Sequence, residues 1–167
     1  MEELTPSLEG EGRKLSGLPP FPFSRPTFAA SKTIFNLVAA DNEFEREFAR
    51  FLEDASDVRA FAKLPSRFGF AIEYTDNASN LRYYEPDFIA VDLADVHHLI
   101  ETKGREDIDV AHKDRTARIW CDNATLLTDT PWRYLEVPQA DFAKLQATDL
   151  AELVLIFDHT DSPPLPL

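Results

Sequence analysis

Two short runs, EPDFIAVD (residues 85–92) and VHHLIETKG (96–104), constrain what this chain can fold into more than any other feature. Both alternate in the manner of strands, both carry β-branched or aromatic residues, and only Leu93, Ala94 and Asp95 separate them. Successive side chains of a strand point to opposite faces, and so short a break between two strands is a hairpin connection. The two runs are therefore expected to form an antiparallel hairpin. In its natural register Phe88 faces Ile100, and Asp87 stands opposite Glu101.

One face of that hairpin carries Asp87, Ile89 and Val91 on the first strand and His97, Leu99, Glu101 and Lys103 on the second. The other carries Phe88, Ala90, His98 and Ile100, mostly apolar. Both faces look covered, which suits a sheet packed between helices. Facing side chains in such a ladder sit about 4.5–5.5 Å apart, and like charges placed there repel. Something must compensate for Asp87 and Glu101. A divalent cation would do so, because Mg²⁺ is held through one or two carboxylates with water and phosphate oxygens completing its shell. An ordinary ion pair with Lys103 on a solvated face would do so as well.

The rest of the chain supplies what surrounds the hairpin. DNEFEREFARFLEDA (41–55) has apolar residues at 44, 48, 51 and 52, with Asp41 or Asn42 as N-cap and acids in the first turn, which predicts a helix. VRAFAKLP and GFAIEYT predict two strands. VAHKDRTARIWCDNA predicts a second helix, WRYLEVP a strand and QADFAKLQA a short helix. LAELVLIF reads as strand or helix, and periodicity does not choose between them. This order predicts an α/β domain with a central mixed sheet flanked by helices.

Residues 1–31, rich in Pro, Gly, Glu and Ser, read as a flexible lead-in, residues 32–160 as one domain and residues 161–167 as a tail. The 167 residues suffice for a single ordinary core. No signal peptide and no apolar run of membrane-spanning length is present, so a cytoplasmic protein is expected. Cys121, the one cysteine, is expected in the core, as are Trp120 and Trp132. His97 and His98 lack the spacing of a zinc site. GEGRKLSG has no strand before it, and the chain holds no G-x-x-x-x-G-K-[ST] loop. With 17 basic residues against 30 acidic ones and a net charge of −13, the chain does not grip nucleic acid by bulk electrostatics. Any DNA contact must be local or assisted.

Pro86-Asp87 on one strand, followed by Glu101-Thr102-Lys103 on the next, resembles the signature of the PD-(D/E)xK nuclease superfamily. From about Lys32 to Val137 the blocks KTIFNLVAADNEFEREFARFLE, DVRAFAKLP, YYEPDFI, LIETKG, DVAHKDRTARIWC and WRYLEV resemble the C-terminal endonuclease region of the Res subunits of type III restriction enzymes. The resemblance implies a restriction-endonuclease-like fold and a Mg²⁺-dependent endonuclease acting on double-stranded DNA, with Mn²⁺ as a substitute ion. It implies Asp87, Glu101 and the carbonyl of Thr102 as metal ligands and Lys103 as the residue that positions the attacking water and stabilises charge on the phosphate. It also implies a helix glutamate beside the metal, and Glu45 matches better than Glu47.

Lys113, Arg115 and Arg118 on the second predicted helix are candidates for the DNA backbone, although charge clusters on helices are commonly solvated faces. In the type III enzymes this region adjoins a helicase-like motor and works with a modification subunit. No motor motif occurs in these 167 residues, so a fragment or stand-alone relative is expected, without ATP coupling. The alternative to a nuclease is a catalytically silent docking or scaffold module of a restriction-modification complex.

Overall fold

The structure is a computed structural model, and it describes residues 13–104 and 110–158. Residues 105–109 and the expected C-terminal tail lie outside the described residues, as does the first part of the lead-in.

Helix α1 (Glu43–Asp54) starts where Asn42 accepts a hydrogen bond from the Glu45 backbone N–H, so Asn42 is the cap. Its apolar stripe buries Phe44, Phe48, Ala49 and Leu52. The strands are β1 (Val58–Lys63), β2 (Ile72–Thr75), β3 (Leu81–Tyr84), β4 (Phe88–Asp92) and β5 (His97–Lys103). Helix α2 (Val110–Thr128), strand β6 (Trp132–Pro138) and helices α3 (Gln139–Leu145) and α4 (Leu150–Phe157) follow.

The central sheet has four strands in the order β1-β4-β5-β6. β4 pairs antiparallel with β5 in the expected register, Phe88 facing Ile100, Ile89 facing Leu99, Ala90 facing His98 and Val91 facing His97. Asp95 closes the turn at φ 61°, a left-handed conformation that Asp tolerates. The Asp92 carboxylate accepts from the N–H groups of Ala94 and Val96 and holds the turn from inside. β5 pairs parallel with β6, so the chain must cross over between them, and α2 is that crossover. The fold is thus the expected mixed α/β sheet between helices, consistent with a restriction-endonuclease-like fold.

Two cores lie on the two faces. Phe48 and Leu52 of α1 and Leu150 and Leu153 of α4 cover Phe61, Phe88, Ala90, Ile100 and Val137. On the other face Ala117 and Cys121 of α2 meet Leu99 and Tyr134. Cys121 is a core residue, and burial pushes its thiol up to about 12. Trp120 and Trp132 pack edge to face at 5.2 Å against the same core.

The structure adds to the expected elements. Leu81–Tyr84 is a strand that the sequence pattern did not reveal, and GFAIEYT contributes β2 not to the central sheet but to a separate two-stranded antiparallel sheet with β3. This ribbon closes over α2 through Ile72, Tyr74 and Tyr84. LAELVLIF is a helix, capped by Asp149, and the carboxylate of the distant Asp57 also accepts from the N–H groups of Leu150 and Ala151. Residues 13–41 run as an irregular strap. It is tied down where the N–H groups of Ser31 and Lys32 donate to the Glu53 carboxylate and where Phe28 bridges to Val38.

Candidate active site

Asp87 sits one residue before β4, between the buried Pro86 and Phe88. Its N–H donates to the Ile100 carbonyl at 3.2 Å, and its carbonyl accepts from Leu64 N–H at 2.8 Å, so the backbone is clamped between β5 and β1. Its carboxylate does not lie free opposite Glu101. Oδ2 accepts from the backbone N–H of Thr102 at 2.8 Å and from the Thr102 hydroxyl at 2.7 Å. Oδ1 lies 3.5 Å from the Nζ of Lys63.

Glu101 projects from β5 toward the α2 side, the face that also carries Leu99 and Lys103. Its Oε2 is buried without a hydrogen-bond partner, as is the Tyr84 hydroxyl. Burial raises the Glu101 carboxyl to about 8. The charge of Asp87 adds to the shift, while Tyr84, Lys113 and Lys103 oppose it. In the parallel register Glu101 pairs with Glu136 of β6. The Nζ of Lys103 lies 3.4 Å from Glu136 Oε1. Glu136 is itself raised to about 7, first by burial and then by the neighbouring Asp114, whose carboxylate accepts from the Tyr134 hydroxyl at 2.9 Å.

A cavity of about 170 Å³ is lined by Tyr84, Glu101, Lys103, Lys113, Asp114 and Tyr134, with neither Asp87 nor Glu136 in its wall. A larger cleft of about 720 Å³ lies between the strap and the end of β1, but its walls are mainly Leu, Pro and Phe side chains. Convergent polar groups with displaced pKa values mark a site better than volume does, so the chemistry belongs with the smaller cavity.

The other expected residues divide. Glu45 is buried while Glu47 is exposed. The Glu45 carboxylate turns back on its own helix cap, accepting from the Asp41 N–H at 2.6 Å and from the Asn42 side chain at 3.2 Å. Burial raises its pKa, and Lys63 at 3.6 Å opposes the shift. Glu45 thus reaches Asp87 through Lys63. Lys113 lines the cavity. Arg115 is exposed, and Arg118 is engaged with Asp158 at 3.6 Å and with the Tyr134 ring at 5.6 Å.

Sequence reasoning missed Lys63, Tyr84, Asp114, Tyr134 and Glu136. Two of them left a signal. Lys63 shares its strand face with the core residue Phe61, and Glu136 shares one with Tyr134, so each puts a charge where alternation calls for an apolar side chain.

A family model described as an endonuclease domain matches residues 31–145, more than half of the chain. The chain belongs to the endonuclease domain family. The match takes in both strands of the motif hairpin, α1, α2 and β6. No curated protein and no solved structure matches. No helix among the described residues is long and apolar enough to cross a membrane.

Among the described residues no group of three His, Cys, Asp or Glu side chains converges closely enough to hold a metal. Asp87 and Glu101 are a pair, and Thr102 follows Glu101 directly in sequence. Two mutually repelling carboxylates, one with a buried oxygen left without a partner, nevertheless fit a hard cation that takes oxygen ligands and keeps several waters.

Proposed function

We propose that this endonuclease domain hydrolyses phosphodiester bonds of double-stranded DNA with Mg²⁺, and that it is part or relative of a type III restriction enzyme. One observation carries the metal-dependent reading. The Glu101 carboxylate, its buried Oε2 without a hydrogen-bond partner and its pKa raised to about 8 by burial and by Asp87, stands on the same strand face as Lys103. A carboxylate so placed is disfavoured until a cation neutralises it.

Asp87, Glu101 and the Thr102 carbonyl would hold Mg²⁺, or Mn²⁺ in its place. The bound ion supplies a water of lowered pKa and charge stabilisation at the phosphate. The chain's own groups do the positioning. Thr102 fixes the rotamer of Asp87 through two hydrogen bonds to one oxygen. Lys103 lines the cavity, from where its ammonium would donate to a phosphate oxygen or to the attacking water, and Glu136 at 3.4 Å limits how far it swings. Lys113 adds a second cation on the α2 wall.

A helicase-like motor region and a modification subunit are the partners that the type III reading brings, in a cytoplasmic setting. Duplex grip and site choice would come from them, since this chain carries a net charge of −13.

Calorimetric titration of Mn²⁺ into the wild-type chain and into Asp87→Ala tests the site. Binding by the wild type that disappears in the folded variant is the expected result. Equal binding by both would remove the metal centre and favour a non-catalytic docking module. Cleavage of supercoiled DNA in Mg²⁺, lost in Glu101→Gln and Lys103→Met, is the expected companion result.

A further inference from the structure

Lys63 ends β1 directly across from Phe88, with only 7% of its surface exposed. Its Nζ lies 3.5 Å from Asp87 Oδ1, 3.6 Å from Glu45 Oε2 and 3.8 Å from Asp41 Oδ2, and 5.7 Å from the centre of the Phe88 ring. It is therefore a buried cation seated between the carboxylate of the motif hairpin and the carboxylates at the start of α1.

An ionised carboxylate offers about four lone-pair positions, two on each oxygen. On Asp87 both positions of Oδ2 are filled by Thr102, and one on Oδ1 faces Lys63. One position is left. On Glu45, Oε2 accepts from Asp41 N–H and faces Lys63, while Oε1 accepts from Asn42. A divalent ion between Asp87 and Glu45 would have to sit where the Lys63 ammonium sits, and like charges at that distance exclude each other.

Resting on the metal-dependent reading above, we infer that Lys63 is a built-in cation that takes the position between Asp87 and Glu45, so that the site admits one divalent ion, on the Asp87–Glu101 side. Glu45 is then a positioning residue for Lys63 and not a metal ligand. The single open lone pair of Asp87 makes its contribution monodentate.

The test is the number of Mn²⁺ ions bound by the full chain, counted by electron paramagnetic resonance and calorimetry, alone and with a short DNA duplex, with Asp87→Ala as the blank. The wild type is expected to bind one ion. Glu45→Gln keeps the side chain's shape, with one amide oxygen still able to accept from the Asp41 N–H, and is expected to bind one ion still. Lys63→Met, which empties the position, is expected to bind a second. Two ions on the wild type, or loss of an ion in Glu45→Gln, would overturn the inference and leave the metal reading standing. One ion on folded Lys63→Met would overturn it too, because something other than Lys63 would then set the number. Should Lys63→Met not fold, the wild-type and Glu45→Gln counts still decide. No ion on the wild type, with or without DNA, would remove the metal reading and this inference with it.

Discussion

Glu101 holds its carboxyl in a setting that disfavours charge, and the sign of the consequence follows from linkage. The group ordinarily titrates near 4.5, and burial with the charge of Asp87 raises it to about 8 in the fold. A carboxyl whose folded pKa is raised contributes stability that is fully present below its unfolded value and is lost as pH rises through the folded one. In chelator, the wild-type chain should therefore become less stable between pH 5 and pH 8. Glu101→Gln removes the titration and keeps the shape. At pH 8 the variant should be more stable than the wild type by roughly 2 kcal/mol after allowance for partial solvent access, with little difference at pH 5. Added Mg²⁺ should stabilise the wild type at pH 8 and leave the variant unmoved. Urea denaturation at the two pH values, with and without Mg²⁺, reads all of this, and a wild-type advantage at pH 8 in chelator would sink the account.

At the scale of elements, what was legible in the sequence was what local pattern determines. The apolar spacing of α1 with its Asn42 cap and the alternation of β4 and β5 across a three-residue break needed no distant partner to be read. Neither did the register that sets Phe88 across from Ile100. β3 was hidden because Leu81, Arg82 and Tyr83 are exposed and only Tyr84 is buried, so the run carries no alternation. Its strand character comes from pairing with β2 and from Tyr84 packing near Tyr134 and α2, contacts that span the chain. The same holds for α4, whose apolar run fits either structure until its first-turn N–H groups meet Asp57, 93 and 94 residues away. Half of the site escaped for this reason. Glu136 and Asp114 join Lys103 only once α2 has crossed over and β6 has paired. Asp57→Ala leaves two helix-terminal donors without that partner and should cost about 1–2 kcal/mol. Faster amide exchange at Leu150 and Ala151 than in the body of the sheet would locate the loss, and unchanged exchange there would show that Asp149 alone caps the helix.

For the whole molecule the governing quantity is charge. Each phosphate that a protein neutralises with Lys or Arg adds about 0.9 to the salt slope of duplex binding, and unassisted non-specific binding commonly lies near 10⁻⁴–10⁻⁶ M. Thirty acids against seventeen bases give a net charge of −13, and this general field repels a duplex. Among the described residues the cations of the site are few, since Lys63 is buried among carboxylates, Arg118 pairs with Asp158, and Lys103 and Lys113 are the two that line the cavity. The isolated chain should bind a short duplex no more tightly than about 10⁻⁴ M at moderate salt, with a log–log salt slope no steeper than about −2. Ca²⁺, which fills oxygen sites, should tighten that binding in the wild type and not in Asp87→Ala, because the ion would bridge carboxylate and phosphate. Fluorescence anisotropy of a labelled duplex across a salt series, with and without Ca²⁺, measures both. A slope of about −5 would mean a continuous basic face contacting several phosphates. A shallow slope with Ca²⁺-dependent tightening would mean that this domain touches DNA at the cut and takes its grip from what it is joined to.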